Sequence, residues 1–283
     1  MDFTKVQSVG NDFVLIEEPK NQSSWSALAR KICHRNFGIG GDGLLVLLPS
    51  EKADFRMRIF NSDGSEAEAC GNGLRCMVNY VHQKRLHNSE QMEIETAAGI
   101  RKAEILPESD GPKITIGMGR PVFEIKDIPV TLEDEKGEVI CSMRTGYPLD
   151  VRDMTFNLSF VSMGNPHAIQ FINTPVDEFT LGDYGPIVEN DTIFPQHTNF
   201  EIARVIQPDQ IEMRVWERGV GETLACGSGA CAVAVASWIL GYTGNSVGIN
   251  LPGGYLNAEW DGRGEVFLTG KAEIVFSGKW EDD

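Results

Sequence analysis

Short apolar runs bounded by glycine, proline and polar residues recur along the chain, and most carry β-branched or aromatic side chains. They predict strands over 13–17, 44–48, 55–60, 92–96, 113–116, 156–162, 168–172, 211–216, 246–251, 257–260 and 265–269. Helical spacing is confined to three places. Over 24–34 the apolar positions Trp25, Leu28, Ala29 and Ile32 form one face, with Ser23 or Ser24 as N-cap. The other two helices are expected over 74–86 and 229–240. The last is apolar almost all round, so it is expected to be buried on every face. Many strands and a buried helix predict a sheet wrapped around a helix rather than βαβ repeats. The segment Gly117-Met118-Gly119-Arg120-Pro121 reads as a linker.

The pattern repeats itself. Arg58-Ile59-Phe60 and Glu66-Ala67-Glu68-Ala69-Cys70-Gly71-Asn72-Gly73 align without a gap on Arg214-Val215-Trp216 and Glu222-Thr223-Leu224-Ala225-Cys226-Gly227-Ser228-Gly229. Ser8-Val9-Gly10-Asn11 matches Ser162-Met163-Gly164-Asn165 at nearly the same offset. So does Gly99 with Ala103-Glu104-Ile105, on Gly254 with Ala258-Glu259-Trp260. Three collinear matches imply a duplicated domain whose second copy begins near residue 120.

Composition narrows the function. Among 283 residues, 41 acidic side chains face 25 basic ones, a formal charge of −16. Such a surface repels phosphate backbones and anionic lipid, which argues against nucleic-acid or membrane partners. No apolar run approaches the roughly 20 residues of a membrane span. Residues 1–7 lack a secretory pattern, so the expected compartment is the cytoplasm, where six cysteines remain thiols.

The duplicated motif places one cysteine at the start of each of two helices. Unpaired N–H groups and the helix dipole there favour a thiolate and can grip a carboxylate. Both cysteines are therefore expected to be partly ionised. Two such elements facing each other across an interdomain cleft would suit a two-base racemase. One thiolate removes an α-proton while the opposite thiol protonates the other face, with no metal or pyridoxal phosphate.

Taken together, Gly10-Asn11-Asp12-Phe13, Asn61-Ser62-Asp63-Gly64, Ala69-Cys70-Gly71-Asn72-Gly73, Gly164-Asn165-Pro166-His167, Glu217-Arg218-Gly219 and Ala225-Cys226-Gly227-Ser228-Gly229 resemble diaminopimelate epimerase from Lys5 to about Gly270. The resemblance implies an α+β fold of two pseudo-symmetric domains, each a barrel-like mixed sheet around a central helix. These are expected at 1–119, completed by 271–283, and at 120–270, with the active site in the cleft between them. It implies interconversion of LL- and meso-diaminopimelate without a cofactor, a step toward lysine and peptidoglycan, and a homodimer.

Residue by residue, the resemblance makes Cys70 and Cys226 the acid/base pair, with His167 and Glu217 tuning the thiols. Gly71, Asn72, Gly227 and Ser228 would hold the carboxylate at the reacting centre. Asn11, Asn61, Asn165, Asn199, Glu217 and Arg218 would bind substrate, several at its distal end. Gly43 departs from those family members that carry a substrate-binding glutamine there, so that contact is lost or made by backbone.

Competing readings are weaker. The Cys70/Cys76 and Cys226/Cys231 spacings do not suit zinc, and both Cys76 and Cys231 read as core residues, with Cys33 and Cys141 structural. Gly38-Ile39-Gly40-Gly41-Asp42-Gly43 matches a dinucleotide fingerprint but opens a strand rather than a helix. A proline or hydroxyproline racemase would use two cysteines, yet its cyclic substrate has no distal charges to match the polar array. A redox-active dithiol protein remains the alternative from another class. The end, Glu281-Asp282-Asp283, reads as a solvated tail.

Overall fold

The computed structural model describes residues 1–17, 24–68, 70–109, 111–132 and 135–281. Ser23, Ala69, Asp282 and Asp283 lie outside the described residues. The chain divides into two compact units, Met1–Gly117 with Thr269–Asp283, and Met118–Leu268.

Unit 1 runs β1 (Asp2–Ser8), β2 (Asn11–Glu17), α1 (Trp25–Ile32), β3 (Gly43–Leu48), β4 (Phe55–Asn61), β5 (Glu66–Ala67), α2 (Gly71–Gln83), β6 (Gln91–Thr96), β7 (Gly99–Leu106) and β8 (Lys113–Gly117). Unit 2 continues with β9 (Glu138–Ile140), β10 (Met143–Thr145), β11 (Tyr147–Val151), β12 (Met154–Ser162), β13 (Pro166–Phe171), α3 (Leu181–Glu189), β14 (Asn199–Gln207), β15 (Gln210–Glu217), β16 (Gly221–Thr223), α4 (Gly227–Ile239), β17 (Ser246–Leu251), β18 (Gly254–Glu259) and β19 (Phe267–Lys271). The last strand, β20 (Glu273–Lys279), pairs with β1 in unit 1.

The duplication is visible in the ladders. β2 and β3 run parallel with Phe13 opposite Gly43, and β13 and β14 run parallel with His167 opposite Asn199. β4 pairs with β5 through Ile59↔Ala67, and β15 with β16 through Val215↔Thr223. Even a surface ion pair is repeated: Arg58 holds Glu66 at 2.7 Å and Arg214 holds Glu222 at 2.7 Å. The turns before Asn11 and Asn165 each need a left-handed residue, and Gly10 (φ 81°) and Gly164 (φ 94°) supply it.

Each unit wraps strands around one helix. α2 packs against β1, β2, β3, β4, β7, β8 and β20, and α4 against β12, β13, β14, β17 and β18. Eleven of the thirteen residues of each are buried. α4 achieves this with alanine and valine. α2 instead buries Arg75 and Asn79, whose polar ends reach Ser8 Oγ (3.0 Å) and the Ala272 carbonyl (2.9 Å).

Both central helices begin before the expected residue, at Gly71 and Gly227, because a cysteine caps each. α3 was not expected: Gly182, Gly185 and Pro186 are poor helix formers. Packing overrides propensity, with Leu181 and Val188 in the unit 2 core and Gly185 against the Trp216 ring. Cys141 is exposed, not structural as expected. It lies in the β9–β10 turn, where it and Ser142 both adopt positive φ.

Candidate active site

Cys70 and Cys226 occupy the same place in their units. Each is the N-cap of its central helix, with extended backbone and a sulfur that accepts from the third helical N–H: Gly73 N to Cys70 Sγ at 3.5 Å, Gly229 N to Cys226 Sγ at 3.4 Å. Gly71, Asn72, Gly227 and Ser228 fill the first two helical positions, whose N–H groups lie outside the i→i−4 ladder and suit an anion.

In unit 1, Asn11 sits beside Cys70. Its Oδ1 is 3.8 Å from Cys70 Sγ and accepts from Asn72 Nδ2 at 3.2 Å. Its Nδ2 donates to Asp42 Oδ2 at 2.7 Å. Asp42 is held by Arg35 (2.7 Å), which also reaches Asp12 (2.8 Å), and Lys5 binds Asp12 and the Gly40 carbonyl. Burial disfavours the Asp12 carboxylate, but hydrogen bonds from Arg35 and Lys5 outweigh it and hold its pKa below the usual carboxylate range. From below, Arg75 donates to Asn72 Oδ1. Asn61 ends β4 and donates to Ser65 Oγ (3.0 Å), one residue before Ser62, whose N–H reaches the Asp42 carbonyl (3.1 Å). A side chain at Gly43 would require the backbone to shift, since a Cβ would stand 2.7 Å from the Phe60 carbonyl oxygen.

In unit 2, Cys226 is buried, with Ser228 Oγ at 3.4 Å. Asn165 donates to that hydroxyl (3.3 Å), and Asn165 Oδ1 faces His167 Nε2 (3.1 Å). His167 Nδ1 lies 2.6 Å from Glu201 Oε1, and neither side chain is exposed. Glu217 receives the Thr223 hydroxyl, and its carboxylate acts electrostatically on the Cys226 thiol.

The electrostatics of Cys226 differ from the expectation of a partly ionised thiol. Burial pushes it well above the ordinary thiol value, and the Glu217 and Glu201 carboxylates push it further. The Ser228 hydroxyl and the Gly229 N–H pull the other way and lose. The Glu217 carboxyl is itself pushed up by burial. Cys33 and Cys76 are buried thiols, Cys33 raised to about 12 by burial and Cys76 further.

Glu217 and Arg218, adjacent in sequence, do different things. Glu217 accepts from Thr223 and acts on the Cys226 thiol. Arg218 is exposed and reaches the Gln196 carbonyl (3.3 Å). Asn199 is buried with its amide engaged by backbone: Nδ2 donates to the Pro166 carbonyl (2.8 Å) and Oδ1 accepts from Arg218 N (3.0 Å). It therefore fixes the turn that presents Arg218. Glu189 of α3 does the same, accepting from Trp216 Nε1 and from Gly219 N, both at 2.7 Å.

Asp42, Arg35, Arg75, Glu189 and Glu201 were not singled out as functional from sequence. Glu201 was detectable: it is a carboxylate inside a buried strand, two residues from Asn199 and so on the same face.

Comparison with known proteins identifies the family. The sequence profile of diaminopimelate epimerase matches residues 3–124 and 159–275. A diaminopimelate epimerase of Carboxydothermus hydrogenoformans is 46% identical over 284 residues, covering 99% of each chain. This chain belongs to the diaminopimelate epimerase family. The fold is wider than the family. A Bacillus anthracis phenazine biosynthesis protein of the PhzF family superposes with a TM-score of 0.72 at 16% identity, covering 98% of each chain. A probable proline racemase from Agrobacterium radiobacter K84 does so with 0.70 at 14%, covering 100% of this chain and 93% of the other. At these identities the likeness is one of fold. Among the described residues no helix is long and apolar enough to cross a membrane, and no three His, Cys, Asp or Glu side chains cluster to hold a metal ion.

Proposed function

We propose that the chain performs its family's reaction, the epimerisation of diaminopimelate, with Cys70 and Cys226 as the two proton-transfer groups. The observation that carries this reading is the repeated cysteine N-cap, one per unit. One sulfur, as thiolate, takes the α-proton. The electron pair left on carbon delocalises into the substrate carboxylate, which the first-turn N–H groups at Gly71, Asn72, Gly227 and Ser228 stabilise. The other sulfur, as thiol, delivers a proton to the opposite face. After one turnover the protonation states are exchanged, and the reverse reaction restores them. The thiol pair supplies both proton-transfer groups, so the reaction calls on no cofactor.

Glu217 and His167 set the proton inventory of the thiols. Full burial and two carboxylates favour Cys226 as the proton donor at rest. Asn11, Asn61 and Asn165 orient the substrate's polar groups, Asn199 holds the turn beside them, and Arg218 meets the distal carboxylate. We place the enzyme in the cytoplasm as a homodimer. Incubation with LL-diaminopimelate in D2O tests the reading. Deuterium should enter at one α-carbon, and Cys70→Ala or Cys226→Ala should each cost at least about 10²-fold. Near-parental turnover in either variant would remove the two-thiol mechanism.

A further inference from the structure

The two units differ most where their cores meet the cysteine. Ladder register makes Phe13 of β2 the counterpart of His167 of β13, and Leu45 of β3 the counterpart of Glu201 of β14. Both members of the second pair sit beneath the first turn of the helix. A Cβ on Gly73 would meet Leu45 Cδ2 at 3.0 Å, and one on Gly229 would meet Glu201 Oε1 at 2.8 Å. The same position in the duplicated fold is therefore filled by a hydrocarbon in unit 1 and by a carboxylate in unit 2. Leu45 and Glu201 are both 0% exposed.

A buried carboxylate is a poor way to stabilise a barrel. Replacing a buried ion pair by apolar groups of similar size is commonly neutral or stabilising, and unit 1 displays that solution. The pair in unit 2 is also incompletely satisfied. Glu201 Oε1 takes His167 Nδ1, while Oε2 has no hydrogen-bond partner among the described residues. Such an orphaned oxygen works against the fold. The other end of the imidazole, in contrast, is connected. Nε2 faces Asn165, Asn165 donates to Ser228, and Ser228 touches Cys226.

We infer that Glu201 is a positioning residue for catalysis: its carboxylate accepts from His167 Nδ1 and so fixes the ring with Nε2 turned toward Asn165 Oδ1, and through Asn165 and Ser228 toward Cys226. The inference rests on the role of His167 in the reading above. A proton-carrying ring oriented by a third group behind it follows the general logic of catalytic triads. The other titratable groups on this cluster are Cys226 and Glu217. Glu201 adds negative charge that keeps the Cys226 proton in place as well as orienting the ring.

Three variants test this: E201L, which installs the unit 1 residue; E201Q, whose amide oxygen still accepts from Nδ1–H; and H167A. The expected result for E201L is a kcat lower by about 10-fold or more, with KM unchanged. Its melting temperature should be unchanged or higher, and ¹⁵N spectra should show the His167 ring released into mixed tautomers. E201Q should retain the tautomer and more of the activity. Parental kcat in E201L, or a loss that tracks unfolding while the tautomer stays fixed, would overturn the inference. H167A separates the levels. If H167A loses activity and E201L does not, Glu201 is excluded and the role of His167 stands. If H167A keeps parental kcat, that role fails and the inference with it. An H167A/E201L double variant no worse than H167A would support Glu201 acting through His167.

Discussion

Gly229 and Glu201 compete for one space: a Cβ on the glycine would stand 2.8 Å from Glu201 Oε1. That oxygen is the end of a side chain, but it cannot swing away, because it is buried and held by His167. Gly229→Ala should therefore disrupt the pair, lowering kcat and costing about 1–3 kcal/mol of stability by overpacking. Gly73→Ala meets Leu45 Cδ2 at 3.0 Å, an apolar end able to yield by a fraction of an ångström, and should be the milder change in both respects. Activity and denaturant unfolding of the two variants check the difference. Equal costs would show that the carboxylate is no more rigid than the leucine.

Glu217 is buried at a cost to folding at neutral pH. Its folded-state acidity is weakened by burial, relative to an ordinary value of 4.5. The sign follows: a raised carboxyl stabilises the fold below its unfolded value, and that stability is lost as pH rises through the folded one. Glu217→Gln should therefore raise the melting temperature at pH 7 while reducing turnover, with the stability gain vanishing near pH 4. The same change removes a carboxylate that suppresses the Cys226 thiolate. Alkylation of Cys226, followed by mass spectrometry, should then begin at lower pH than in the parent. No change in that onset would mean the carboxylate does not act on the sulfur.

Alkaline stability reports the buried thiols. Cys33 is raised to about 12, and Cys76 and Cys226 are also raised, all chiefly by burial. In the unfolded chain a cysteine ionises near 8.5. Stability from these groups is thus fully present below about pH 8 and declines above it, by up to about 1.4 kcal/mol per pH unit for each thiol. Urea midpoints measured from pH 7 to 10 should be level and then fall. Cys33→Ala should make the fall shallower by about one thiol's share. Midpoints that stay level to pH 10 would contradict the burial of all three.

How much of this was legible beforehand depends on how local each signal is. The strand from Ser246 to Leu251 and the cysteine-capped helices carry their own patterns, and the repeat announced the duplication. α3 was invisible because Pro186 and two glycines mask a helix that exists through packing on Trp216. β20 was expected only through the family resemblance, as the strand over 271–283 that completes unit 1: six of its seven residues are exposed, so no alternation marks it, and it is held by pairing to β1 from the opposite end of the sequence. Within the site, motif residues were readable and their assignments less so. Glu217 and Arg218 read as one charged pair, yet a strand ending between them sends one toward the thiol and the other to an exposed turn. Of the supports, Glu189 comes from α3, whose relation to the motifs is tertiary, whereas Arg75 sits one helical turn beyond Asn72 on α2 and reads from sequence as an ordinary helix residue.

Glu189 should matter although it meets neither sulfur. Its carboxylate accepts from Trp216 Nε1 and Gly219 N, so it pins both sides of the Glu217–Arg218 step. Glu189→Ala removes the acceptors of two part-buried donors, at no more than about 1–3 kcal/mol each where water does not replace them. The expected result is a rise in KM with a smaller fall in kcat, because the turn that carries Arg218 loosens. A fall in melting temperature with unchanged kinetics of the folded fraction would limit Glu189 to stability.

Arg218 gives the most direct test of the distal site. It is exposed, its guanidinium touches only the Gln196 carbonyl at 3.3 Å among the hydrogen bonds described, and its backbone N–H is fixed by Asn199. The turn is thus held by the main chain, and the side chain is left to a ligand. Arg218→Ala should leave the melting temperature unchanged, since no core contact is lost. It should raise KM for diaminopimelate, because a hydrogen bond between charged groups is worth about 1.5–3 kcal/mol, on the order of 10- to 100-fold in kcat/KM. Asn199→Ala should act on the same parameter through the turn, leaving the Arg218 guanidinium present but misplaced. If Arg218→Ala binds and turns over diaminopimelate as the parent does, the distal carboxylate is recognised elsewhere. Asn11, Asn61 and Asn165 would then have to supply that recognition from neutral donors.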